Sequence, residues 1–158
     1  MVSRDRDESG RPRNARPRDA AGRPLARNAP GVQPADDETF RTPSEVLRAA
    51  QDALDAERPF LAHEHLETAW HLASAEERDL WQGLAQLAVA LTHLQRGNAA
   101  GARALFERSR ERLSAYAGTS PHGIDVDGLR ATAASMLSAL AADEQVPPGA
   151  VRLLGTQP

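Results

Sequence analysis

The run Leu80–Gln95, LWQGLAQLAVALTHLQ, contains no Asp, Glu or Arg. Wound as a helix at about 100° per residue, it sets Leu80, Leu84, Leu87, Leu91 and Leu94 on one face. Trp81, Ala85 and Val89 cover much of the opposite side. A helix apolar nearly all round belongs at the centre of a fold, so other helices must be built around it. No apolar span reaches the roughly 18 residues needed to cross a bilayer, which excludes membrane insertion.

Helix start and stop signals divide the surrounding chain. Thr42-Pro43-Ser44-Glu45 has the form of a capping box with proline at the first helical position. The helix it opens carries Val46, Leu47, Ala50 and Leu54 on one face and must end before Pro59. A second helix is expected from Pro59 to about Ala73. Ser74-Ala75-Glu76-Glu77 has the form of another capping box, opening the central helix, which runs to Arg96. Gly97-Asn98 supplies a left-handed stop. A fourth helix spans about Ala99–Ala117, with Ala102, Leu105, Phe106, Leu113 and Tyr116 at core spacing. Beyond the Gly118–Gly123 loop, Asp125 or Asp127 caps a fifth helix through Ala142, with Leu129, Met136, Leu137 and Leu140 inward. Val151–Leu154 has the character of a short apolar strap. Strand-like alternation is absent, and the expected fold is all-α: a compact bundle of about five helices around one central buried helix, Leu80–Gln95.

Composition sets the boundaries. Residues 1–38 are expected to be a disordered Arg/Pro-rich tail, residues 39–146 the helical domain, and residues 147–158 an extension beginning at Pro147-Pro148. Up to Pro30 the chain holds eight Arg, four acidic residues and four Pro, with too little apolar surface to offset the entropy of ordering. That segment sums to +4; the remaining eleven Arg and eighteen acidic residues sum to −7. A basic tail alone is weak ground for recognition, so no nucleic-acid partner is expected. Its cations, like those of the whole chain, are all Arg, which points to GC-rich bacterial coding sequence rather than to a binding preference. Cysteine is absent, excluding disulfides, thiolate metal sites and cysteine nucleophiles. With no apolar leader, the expected location is the cytoplasm. A second copy or another protein remains open as a partner.

The segment Phe60–Trp70, FLAHEHLETAW, carries the candidate chemistry. On a helix His63, Glu67, His71 and Glu64 form an ionisable stripe bracketed by Ala62, Leu66, Ala69, Trp70 and Ala73 on one side and by Leu61 and Leu72 on the other. A solvated face would be broader. On the central helix Gln82, Gln86 and His93 fall together, and the economical partner for them is the stripe next door. One reading is a hydrogen-bond network in which Gln82 and Gln86 satisfy His63, Glu64 and Glu67 and fix helix register. A second is a metal site on His63, Glu67 and His71, at i, i+4 and i+8. A third is a small-ligand or acid–base pocket, where a desolvated Glu beside His acquires a useful pKa. Carboxylate-bridged bundles use a Glu-x-x-His pair on each of two helices, which this chain lacks. His-Glu-x-x-Glu also lacks the second histidine of the zinc-protease motif. The residues favour the network, so no metal and no cofactor is expected. Neither an activated nucleophile nor a phosphate-cradling glycine loop is present to indicate an enzyme.

Three ordered motifs carry a resemblance. F-L-A-H-E-H-L-E-x-x-W (Phe60–Trp70), L-W-Q-G-L-A-Q-L-A-x-A-L-x-H (Leu80–His93) and R-G-N-x-x-G-A-R-x-L (Arg96–Leu105) are similar to the domain of unknown function 309 family. Its A-H-E-x-x-E-x-x-W signature falls on Ala62, His63, Glu64, Glu67 and Trp70. Its helix motif falls on Trp81, Gln82, Gly83, Leu84 and Gln86, with Trp81 where Phe or Leu is usual. Its turn falls on Gly97, Asn98, Gly101 and Ala102, the residues expected to pack one helix against the next. Ile124-Asp125-x-x-Gly128-Leu129 fits the family's last helix, so the resemblance spans about residues 43–142. It implies a compact helical bundle around one helix, and no established activity. The Gly97–Phe106 segment also resembles the turn of tetratricopeptide-like hairpins, which would make the domain a protein-interaction module, although no 34-residue period is present. A polar cluster in an open cleft would favour ligand binding; a sealed one beside an exposed apolar groove would favour a partner.

Overall fold

A computed structural model describes residues 42–145 and 151–155, together with Asp19, Ala21 and Arg23. Apart from those three residues, the expected disordered tail lies outside the described residues, as do residues 39–41 and Pro147-Pro148. Five α-helices follow in order: α1 Pro43–Asp55, α2 Pro59–Leu72, α3 Arg78–Gln95, α4 Ala99–Ser114 and α5 Val126–Ala141. Each packs chiefly on its neighbours in sequence. The described residues contain no strand, only an isolated antiparallel bridge between Ile124 and Leu154. None of their helices is long and apolar enough to cross a membrane.

α3 is the centre, as the uncharged run Leu80–Gln95 within it requires. Leu80, Trp81, Leu84, Leu87, Ala88 and Ala90 are each 2% exposed or less. Burying the large side chains among them stabilises the fold by roughly 1.5–3 kcal/mol each. α4 lays one stripe against it, with Ala102, Phe106, Ser109 and Leu113 all fully buried. The two helices approach closely at Gly83, whose carbonyl oxygen accepts from Ser109 Oγ at 2.8 Å. A Cβ at Gly83 would lie 3.0 Å from Leu113 Cγ and 3.3 Å from Arg112 Cβ. Leu105, Tyr116, Leu137 and Leu140, expected inward, are half-buried at the core's edge.

The helix ends show which local signals prevailed. Thr42 and Glu45 form the expected box: Glu45 N donates to Thr42 Oγ1 at 3.2 Å, and Thr42 N to Glu45 Oε2 at 2.9 Å. α3 stops as expected at Gly97, φ +73, where Gly97 N donates to Leu94 O and Asn98 N to His93 O. This pair of bonds closes the helix in a Schellman motif. α1 ends in the same motif, with Glu57 taking the left-handed position at φ +57. Of the two candidates for α5, Asp125 is the cap, accepting from Gly128 N at 3.0 Å. The second expected box does not form. Ser74–Glu77 makes a turn closed by Glu77 N donating to Ser74 O, and α3 begins at Arg78 without a side-chain cap bond. The Glu77 carboxylate that should have closed the box is committed to side chains elsewhere.

The apolar strap docks. Val151 is 3% exposed and Leu153 fully buried. Gln51 of α1 holds it from one side, donating to Val151 O at 3.1 Å and accepting from Leu153 N at 2.8 Å. On the other side Asp125 N donates to Leu153 O and Gly155 N to Gly123 O.

Candidate functional site

The residues marked by the sequence divide into three places. On α2, Glu67 stands between two histidines, with His63 Nε2 3.7 Å and His71 Nε2 3.6 Å from its carboxylate oxygens. His63 is mostly covered, Glu67 half-exposed and His71 exposed. Burial holds the His63 imidazole below its ordinary value, with Glu67 pulling the other way. Trp70 stacks on His71 with ring centroids 4.9 Å apart. On α3, Gln82 and Gln86 are half-buried, as is Glu64 on α2. The expected network is not closed at two atoms: His63 Nδ1 and Gln86 Oε1 are buried without a hydrogen-bond partner. Among the described residues no group of three His, Asp or Glu side chains is arranged to hold a metal ion.

His93 belongs to the turn between α3 and α4. Its Nδ1 lies 3.0 Å from Asn98 Nδ2, its carbonyl oxygen accepts from Asn98 N, and Asn98 Oδ1 accepts from Gly101 N at 3.0 Å. Leu72, expected to bracket the stripe, is 78% exposed. It is the last residue of α2, and the chain leaves it through an extended Ala73. His65 was left out of the stripe yet is 7% exposed, the single buried ionisable side chain among the described residues. Its spacing three residues after Ala62, beside Leu66, was the available signal.

A cleft of about 310 Å³ opens where α1 begins and α2 ends. α1 contributes Thr42, Pro43 and Val46, and α2 contributes Thr68, Ala69 and Leu72. Ala73, Ser74, Glu77 and Trp81 complete the lining through the link and the first turn of α3. The Glu77 carboxylate accepts from Trp81 Nε1 at 3.2 Å, and both its oxygens lie 2.9 Å from His122 Nε2. The His122 hydrogen bond, reinforced by that from Trp81, holds Glu77 below the usual carboxylate range, so it is charged at neutral pH. His122 sits in a single 3-10 turn, Pro121–Gly123, with left-handed backbone at φ +55. Its ring is tilted against the Trp81 indole with centroids 5.7 Å apart. Sequence reasoning missed this group because Glu77 had the spacing of a helix cap and His122 the setting of a loop.

Residues 47–105 match the family model described as a domain of unknown function, DUF309. The match includes all three motifs and the part of the cleft between Thr68 and Trp81. No curated protein and no solved structure matches the chain.

Proposed function

We propose that this helical domain is a ligand-binding module and that its site is the cleft between α1, α2 and the start of α3. One observation carries the reading: the cleft is of small-ligand size, about 310 Å³, and mostly apolar, with Glu77 the single charged group among the described residues of its wall. Sites for small molecules combine an apolar lining with a few placed polar groups in this way. The His63–Glu67–His71 ladder then has a supporting role. It occupies one face of α2, while Thr68, Ala69 and Leu72 of the same helix line the cleft. The reading includes no reaction, because Glu77 and His122 bond each other and the Thr42 and Thr68 hydroxyls are engaged with backbone.

Amide NMR spectra recorded during titration with indole test it. Shifts are expected to concentrate at Thr42, Thr68, Ala73 and the Trp81 indole N–H. Ala69→Phe, which fills the cleft from its wall, should abolish them while far-ultraviolet circular dichroism stays helical. Shifts scattered over the surface, or unaltered in Ala69→Phe, would overturn the proposal.

A further inference from the structure

Glu77 is paired differently from the carboxylates that meet arginine. Asp79 and Asp55 each meet an arginine, Arg112 and Arg152 respectively. Glu77, like Glu67 on α2, meets none among the described residues; its partner is His122. An ionised carboxylate can accept about four hydrogen bonds, and Trp81 and His122 supply two donors. His122 fills one of those positions, which leaves acceptor capacity open on the carboxylate at the cleft wall.

From this we infer that the cleft takes an organic cation, an ammonium or guanidinium group on an apolar body, with Glu77 as its counter-ion. The inference rests on the binding reading above. Pro43, Val46 and Ala69 offer the body an apolar bed, and Glu77 at its edge meets the positive head. Two helices begin at the cleft, and each N-terminus carries about half a positive charge, which alone would favour an anion. Both are answered by a full negative charge. Glu45 closes the first turn of α1 through Thr42 N, and Glu77 directly precedes α3. An anionic ligand would meet Glu77 with no arginine among the described residues that line the cleft, so the balance of charge there selects a cation.

Titrating the full chain at pH 7.5 with phenethylamine, phenethyl alcohol and 3-phenylpropionate separates charge from shape. The ammonium is expected to bind about three- to fivefold tighter than the alcohol, the range for a half-exposed ion pair, and the carboxylate weakest. Added salt should weaken the ammonium alone. Glu77→Gln keeps the length and the acceptor for Trp81 and should bring ammonium and alcohol to equal affinity. The comparison of the three ligands on the unaltered chain stands even if that variant unfolds. Ammonium binding no tighter than the alcohol, with indole still bound, overturns the cation inference alone. No binding by any of these compounds, indole included, overturns the reading beneath it.

Discussion

The two ends of α3 are built differently. At its C-terminal end every prominent polar group serves the backbone: Gly97 and Asn98 close the helix, Asn98 caps the next one, and His93 joins the turn. In the N-terminal third of the helix, Gly83 brings α4 into close contact through Ser109 and Leu113. At the N-terminal end Ala73 is extended, the first turn has no side-chain cap, and Glu77 bonds a tryptophan and a histidine. One end uses its polar groups to hold register, and the other leaves a cleft. Capping worth about 1 kcal/mol is forgone where α3 begins beside the cleft.

The sharpest way to break this contrast is Trp81→Ala. The side chain is 2% exposed, and its removal should cost about 3–5 kcal/mol by urea denaturation. A loss well under that range would mean that the open end collapses into the space and is softer than drawn. On the same N-terminal third, where α4 packs, Gly83→Val should cost about 1–3 kcal/mol, because Leu113 and Arg112 must move. If it proves neutral, the close approach of α3 and α4 is not what holds that end. Gly97→Ala comes next, at about 1 kcal/mol, since alanine is strained at φ +73.

The smallest effects are pH-dependent, and they separate the cleft from the α2 ladder. His63 has a lowered folded value, so the unfolded chain takes up its proton first. Its contribution is nil at high pH and turns destabilising as pH falls through the ordinary value of about 6.5. Glu77 is lowered too, but as an acid: its stabilisation is full above the ordinary carboxylate range and is lost as pH falls through its folded value. Urea midpoints against pH should therefore flatten near neutrality in His63→Gln and only in the acid range in Glu77→Gln. Identical profiles for the two variants would refute the separation.

Much of the fold was legible because it is written locally. The uncharged run Leu80–Gln95, the Thr42 box and the Gly97 stop each depend on residues within a few positions of one another. The Ser74 box had the same local form and failed, because a partner 45 residues away, His122, competes for Glu77. The cleft was illegible for the same reason: Thr42, Thr68 and Trp81 are unremarkable until three helices bring them together. Helical periodicity placed His63 and Glu67 on one face of α2 but could not tell that His93, on the right face of α3, sits too far along it and is taken by the turn.

The strap has a consequence for the order of folding. Its bonds to Gln51 join residues 100 and 102 positions apart, whereas the helices meet mainly their neighbours along the chain. Local helical pairs form before distant contacts whose loop must first be closed. The clasp over α1 and the start of α5 is thus the last step to be made and the first to be undone. Its strength governs how quickly the domain comes apart and leaves the speed at which it assembles nearly unchanged.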